Sequence, residues 1–247
     1  EIRTGVKIQE VLAHDRAFTL SLSQGRLRAQ KLVVASGGLS IPRMGATGFG
    51  YEIARQFGHA IIDTEPALVP FTLSGQPKED FAGLEGLSAR VRLQVERASF
   101  EEDFLFTHRG VSGPVCLQLS NYWQAGENIH CDWLPGLDVV DELLRAKQAA
   151  GSLTLARWLT QHLPRRLAER LGQLCASTLP LGDQRDEAVL ALAQKLQHWP
   201  LRPSGTEGYR TAEVTRGGVA TDAISSRSFE SREQPGLYFI GEVVDVT

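Results

Sequence analysis

The chain has 247 residues, 42% hydrophobic and 22% charged, an ordinary composition for a globular protein with a sizeable core. Its net charge is −3, so no excess of positive charge draws it to nucleic acid. No apolar run approaches the roughly 18 residues of a membrane span, so no membrane partner is expected.

The first residues, Glu1-Ile2-Arg3-Thr4, do not resemble a signal peptide, and no initiating Met is present. The chain is therefore expected to be a fragment of a longer reading frame, or processed. Cys116, Cys131 and Cys175 are widely spaced and form no C-x-x-C. That pattern argues against a disulfide framework, a zinc site or a redox dithiol, and fits free thiols in a reducing cytoplasm.

In chain order, Val6, Ile8, Phe18, Leu20 and Leu22 alternate with polar residues, which predicts strands with turns at His14-Asp15 and Ser23-Gln24-Gly25. Lys31 to Ala35 is a short apolar run that predicts a strand buried on both faces. A helix is predicted from Phe49 to Phe57, with Gly58 just past its end. Ile61 to Leu73 is extended and interrupted by Pro66 and Pro70. Strands follow around Val91, Leu93 and Val95 and around Phe104 and Phe106, then a short helix opened by Pro114, then a strand at Ile129, Cys131 and Trp133. From Val139 to Trp199 the pattern is helical, with Pro164 in a first turn and Asp183 as a candidate cap. Strand character returns from Ala212 and ends, after the turn Gln234-Pro235-Gly236, in Leu237 to Ile240. That last strand and the run at Lys31 both lead into glycine, and are predicted neighbours in one sheet.

Three places carry candidate chemistry. The first is Ser36-Gly37-Gly38 at a strand end, where ligands sit in parallel α/β sheets and where glycine lets a backbone approach closely. A tight turn explains it equally well. The second is Gly45 to Gly50 at a helix start, where backbone N–H groups can face a phosphate or a polar ring edge. A flexible turn with a helix cap is the alternative. The third and most specific is Pro235 to Glu242, in which a strand ends in Gly241 and a carboxylate follows that can accept hydrogen bonds from sugar-type hydroxyls. The dinucleotide fingerprint G-x-G-x-x-G does not occur in the chain.

Pro235 to Glu242 resembles the last FAD-contacting strand of glutathione-reductase-like and fumarate-reductase-like flavoproteins, in which the acidic residue binds the ribityl chain. Val33 to Gly38 resembles their A-T-G-G strand end, with Ser36 in place of Thr. Thr47-Gly48-Phe49-Gly50 resembles T-G-D-G, with Phe49 in place of the acidic residue. Six ordered strings together resemble the BaiN/YhiN/HI0933-like family of NAD(P)/FAD-dependent oxidoreductases, which includes aminoacetone oxidase. They are Gly37 to Pro42, Gly45 to Tyr51, Phe106 to Pro114, Gly205 to Tyr209, Ala212 to Val219 and Gly241 to Val246. Family members also carry an N-terminal G-x-G-x-x-G unit and a C-terminal segment that this chain lacks.

The resemblance implies an α/β protein. Residues 1–63 and 206–247 would be parts of a discontinuous, glutathione-reductase-like Rossmann-type FAD-binding domain. Residues 64–138 would be a β-rich insert, 139–198 a helical sub-insert and 199–205 a return strand. It implies FAD held by Ser36, Gly37, Gly38, Thr47, Gly48, Gly50, Gly241 and Glu242, with NAD(P)H as a possible electron donor and a small-molecule substrate. No nucleic-acid partner and no metal are expected, and the sequence carries no signal for oligomeric state. The expected activity is a flavin-dependent transfer of an electron pair. One alternative is a non-catalytic scaffold that keeps the fold without FAD; a further one is a nucleic-acid-associated flavoprotein, since some FAD folds modify RNA, against which the acidic balance and the lack of a basic, aromatic-lined stripe argue.

Other residues have two roles open to them. His108 and Arg109 can meet an anionic or carbonyl substrate, or can fix the loop before Pro114. Thr215-Arg216-Gly217-Gly218 can line the reactive face of the flavin, with Arg216 on substrate or reduced flavin, or can be a bulged strand end. Trp123, Trp133, Trp158 and Trp199 are expected to be packing residues.

Overall fold

Two separate apolar cores organise the chain, and each belongs to a different compact unit. The computed structural model describes residues 1–149 and 151–246. One unit is Glu1–Ala67 with Tyr209–Thr247, and the other is Leu68–Gly208.

The first unit opens with β1 (Ile8–His14), β2 (Ala17–Leu22) and β3 (Gly25–Ala29), an antiparallel three-stranded sheet in which Val11 faces Leu20 and Leu20 faces Leu27. Alternation places Val11, Phe18 and Leu20 on the buried face and Thr19, Ser21, Arg26 and Arg28 on the other. Strand β4 (Leu32–Val34), helix α1 (Phe49–Gln56) and strand β5 (Ile61–Ala67) follow. Ile53 and Ala54 turn the buried face of α1 to the core, and Gly58 at φ 87° takes the left-handed position just past its end.

The second unit is β-rich. It contains β6 (Phe71–Thr72), α2 (Gln76–Asp80), β7 (Ser88–Val95), β8 (Ala98–Phe106), β9 (Gly110–Ser112), α3 (Pro114–Ser120) and β10 (Ile129–Asp132). The helical run then comprises α4 (Val139–Ala149), α5 (Leu155–Leu159), α6 (Arg165–Leu174) and α7 (Asp186–Gln197), before β11 (Trp199–Leu201) and β12 (Gly205–Thr206). Seven antiparallel strands form one sheet in the order β11-β10-β7-β8-β9-β6-β12. Sheet and helices share one core, which buries Phe71, Phe104, Leu143, Leu159 and Leu167 together with all four tryptophans. Cys116 and Cys131 lie fully buried there, and burial pushes both thiols well above their ordinary range. Among the described residues no helix is long and apolar enough to cross a membrane.

The chain returns to the first unit with β13 (Val214–Val219), antiparallel to β5, and β14 (Leu237–Phe239). Strand β14 pairs in parallel with β4, Leu237 to Leu32 and Phe239 to Val34, as the shared strand-into-glycine pattern predicts. The chain is thus a mixed α/β protein with a β-rich part.

Three expectations need correction. The run at β4 is not buried on both faces: Val34 is buried, but Val33 is 52% exposed. Among the described residues β4 and β14 form only a two-stranded sheet, whose inner face carries Val34, Leu237 and Phe239 while Val33 and Tyr238 share the outer one. Ile240, expected in the last strand, lies past its end and is exposed. Asp183 does not cap α7; it ends a separate 3-10 turn, and the cap position is Arg185, with Asp186 and Glu187 in the first turn answering the helix dipole.

His59 is a buried histidine that sequence pattern did not single out. Its Nε2 is 2.7 Å from the Ser231 hydroxyl, and its ring meets Phe239 of β14 edge-on at 4.9 Å. Burial lowers its pKa from the ordinary 6.5. The folded state therefore binds a proton less readily than the unfolded chain, so stability is lost as pH falls through about 6.5 and below. The His59→Phe variant should lack that part of the acid loss, as read from denaturant midpoints at pH 8 and pH 5.5.

Candidate functional site

The parallel strands β4 and β14 end side by side, with Ile240 N donating to Val34 O at 3.1 Å, and both run into glycine. Gly37 (φ 73°) and Gly241 (φ 75°) occupy the left-handed region. A Cβ at either would meet nothing within 4 Å, so both glycines border open space at the carboxyl ends of the pair.

Behind them the packing is tight. A Cβ on Gly38 would lie 2.5 Å from Thr215 Oγ1 and 3.1 Å from the Glu242 carboxyl carbon. Thr215 of β13 is fully buried. Its hydroxyl accepts from Leu39 N at 2.8 Å and Ser40 N at 3.2 Å and is 2.9 Å from the Ser40 hydroxyl. Its own backbone N–H donates to the Glu242 carboxylate. One residue thus ties the glycine turn after β4 to the carboxylate after β14.

The start of α1 closes the group. Gly48 is its N-cap, and a Cβ on Gly50 would collide with Ser36 Oγ at 2.1 Å and with Val243 at 2.9 Å. Tyr51, one residue further, is 4% exposed, and its hydroxyl is buried without a hydrogen-bond partner among the described residues. The hydroxyl of Tyr209 is in the same condition. Burial, then the Glu242 carboxylate, then Tyr209 raise the Tyr51 pKa above 10.0, so this phenol stays neutral and keeps its proton.

Seven of the residues singled out from sequence come together here: Ser36, Gly37, Gly38, Gly48, Gly50, Gly241 and Glu242. Thr47 is exposed in the turn before the cap. Arg216 forms a cross-strand ion pair with Glu65, its register partner on β5. Gly217 and Gly218 make a bulge in β13. A Cβ on Gly217 would lie 2.2 Å from Asp63 O and one on Gly218 2.7 Å from Val243 O, so both glycines admit neighbouring backbone. His108 and Arg109 belong to the other unit. They sit in the exposed turn between β8 and β9, with Thr107 N bonded to Gly110 O at 2.8 Å and Arg109 paired with Glu207 at 3.3 Å. Within that unit their contacts are those of a fixed loop. Thr215 as a linchpin and the Tyr51 phenol are not signalled by the sequence, whereas Tyr209 and Glu207 are open there to a catalytic role or to a hinge between the insert and the FAD domain; Tyr51 and Tyr209 each end a string on which the family resemblance rests.

Residues 65–214, more than half of the chain, match the family described as HI0933-like protein barrel and H2TH domain. The chain belongs to the HI0933-like family. It is 45% identical over 245 residues to the ribosomal RNA dihydrouridine synthase of Escherichia coli, covering 98% of this chain and 61% of that protein. It is 42% identical over 250 residues to the protein of the same name from Haemophilus influenzae, covering 100% of this chain and 62% of that one. It is also 27% identical over 264 residues to the 3-dehydro-bile acid delta(4,6)-reductase of Clostridium scindens, covering 100% of this chain and 63% of that protein. The chain thus spans less than two thirds of the length of each of these relatives, and all three bear the names of enzymes.

In this HI0933-like chain the linchpin is testable by itself. Thr215→Val keeps the shape of the side chain but leaves the N–H groups of Leu39 and Ser40 without their acceptor. A buried donor left unpaired costs about 1–3 kcal/mol, so the denaturant midpoint should fall accordingly, whereas Thr215→Ser should retain most of the stability.

Proposed function

We propose that the protein carrying this chain is an FAD-dependent reductase that saturates a carbon–carbon double bond conjugated to a carbonyl, with uridine in ribosomal RNA as substrate and NAD(P)H as electron donor. The observation that carries the reading is the pairing of two glycine-ended parallel strands at one carboxylate, Glu242, beside open backbone at Gly37 and Gly241.

The residues fit a flavin nucleotide. The Thr215 N–H occupies part of the Glu242 carboxylate, and its remaining lone pairs can accept from sugar-type hydroxyls. Gly37 and Gly241 let a ligand lie against the main chain. The hydroxyls of Tyr51 and Tyr209, buried and unpartnered among the described residues, are donors in want of acceptors, which a polar ligand supplies. Bound there, FAD would supply the electron pair. The chain's own part is to hold and orient: Glu242 fixes hydroxyls, the Gly38–Thr215 contact holds the floor rigid, and Tyr51 stays neutral beside the carboxylate.

The substrate class comes from the names of the relatives. Dihydrouridine is uridine with its C5–C6 double bond reduced, and a delta(4,6)-reductase likewise saturates carbon–carbon double bonds. In each case the bond is conjugated to a carbonyl, so a hydride adds at the far carbon and a proton from solvent at the near one. The resemblance implies a small-molecule substrate, and whole-chain charge argues against nucleic acid. The names of two relatives favour RNA over it.

The full-length protein should be yellow, carry about one FAD per chain and bleach under dithionite. With NADPH it should convert uridines of ribosomal RNA to residues heavier by two hydrogens, read by mass spectrometry of nuclease digests. Glu242→Ala should lose most of its bound FAD with an unchanged far-ultraviolet circular dichroism spectrum. A colourless protein that FAD cannot reconstitute would overturn the proposal in favour of a scaffold. A flavoprotein inert on RNA would overturn only the substrate.

A further inference from the structure

We infer that the notch between the β1–β2 turn and strand β3 binds the phosphodiester backbone of RNA, and so holds the substrate at a place apart from the Glu242 site. The inference rests on the RNA reading above. The notch, about 560 Å3, is lined by Asp15, Arg16, Ala17, Arg28, Ala29 and Gln30. All of it lies within the first unit.

The charge of this region runs against that of the chain. Over residues 1–31, Arg3, Lys7, Arg16, Arg26, Arg28 and Lys31 face only Glu1, Glu10 and Asp15, a balance of +3 in a chain of −3. Elsewhere Arg90, Arg92, Arg109, Arg145, Arg165 and Arg216 make ion pairs, while other arginines such as Arg43, Arg166 and Arg227 make none among the described residues. Arg16, Arg26 and Arg28 make none among the described residues, and all three are exposed. Asp15, which also lines the notch, is 3.3 Å from His14 Nδ1.

The geometry is fixed by the sheet. Arg26 and Arg28 flank Leu27 on β3, so both project from the face opposite Val11, Phe18 and Leu20. Their register partners on β2 are Ser21, whose hydroxyl donates to Glu10 of β1, and Thr19, which adds a hydroxyl beside Arg28. Arg16 sits in the tight turn at φ 59°, next to Asp15 at φ 50°. Glycine is the cheapest residue in a turn of this kind, so an arginine there is held at a conformational cost. Two guanidinium forks lining one notch match the planar, bidentate acceptors of phosphate better than lysines would.

The test uses the full-length flavoprotein and a fluorescently labelled ribosomal RNA fragment, titrated at salt concentrations from about 50 to 300 mM. The wild type should bind with an affinity that falls steeply with salt. Arg16→Glu/Arg28→Glu should bind about ten-fold or more weakly, with a slope of log affinity against log salt shallower by about 1.5, the share of two phosphate contacts. Arg16→Lys/Arg28→Lys should keep the wild-type slope. FAD content and Tm should be unchanged in both variants. Unchanged affinity and slope in the glutamate variant would overturn the notch and leave the RNA reading standing. Failure of the wild type to bind RNA would overturn both. Equal losses in the lysine and glutamate variants would mark the arginines as structural and overturn the inference. A raised KM for NADPH with RNA affinity intact would assign the notch to the phosphates of the nucleotide donor, and would overturn it too.

Discussion

The first unit depends on what happens at Thr215. Its buried hydroxyl accepts from the backbone after β4, and its backbone N–H donates to the carboxylate after β14. Those partners lie more than 170 residues from Thr215 on one side and fewer than 30 on the other. A parallel pair such as β4–β14 has no hairpin to set its register, so it needs cross-links of this kind. The glycines around Thr215 follow from it. Gly38 has no Cβ because Thr215 and Glu242 occupy that volume, and Gly50 has none because Ser36 and Val243 do.

The Thr215 contacts also separate two uses of glycine that look alike in a sequence. Gly38, Gly50, Gly217 and Gly218 are pressed against protein atoms and exist for packing. Gly37 and Gly241 have left-handed φ and empty space where a Cβ would be. Only the second kind leaves main chain open to a ligand, so the candidate site narrows from a glycine-rich neighbourhood to the rim formed by Gly37, Gly241 and Glu242.

The legible parts were those governed by local rules. Alternation marked β1, β2, β7 and β8; the Pro114 start and the Gly58 stop marked two helices; and strands running into glycine marked β4 and β14 as neighbours. Contacts distant in sequence were not legible. Arg216 looked like a free charge near a ligand because its partner Glu65 lies 151 residues away across a strand pair. The burial of the Tyr51 and Tyr209 hydroxyls, with Tyr51 near Glu242, is likewise a product of tertiary packing, since tyrosine occurs in cores and at surfaces alike. Val33 reads as core by composition, and only the two-stranded sheet shows it exposed.

Net charge, too, is a property of the whole chain that says little about one place on it. A chain total is a sum over surfaces that a partner never meets together, and electrostatic attraction fades beyond a Debye length of roughly 8–10 Å. Acidic residues elsewhere in the chain contribute to the −3 but scarcely to the field at a notch flanked by unpaired arginines. The local balance of +3 over the first 31 residues therefore bears on partners, and the total does not. A net charge of −3 is thus compatible with a locally basic notch lined by Arg16 and Arg28.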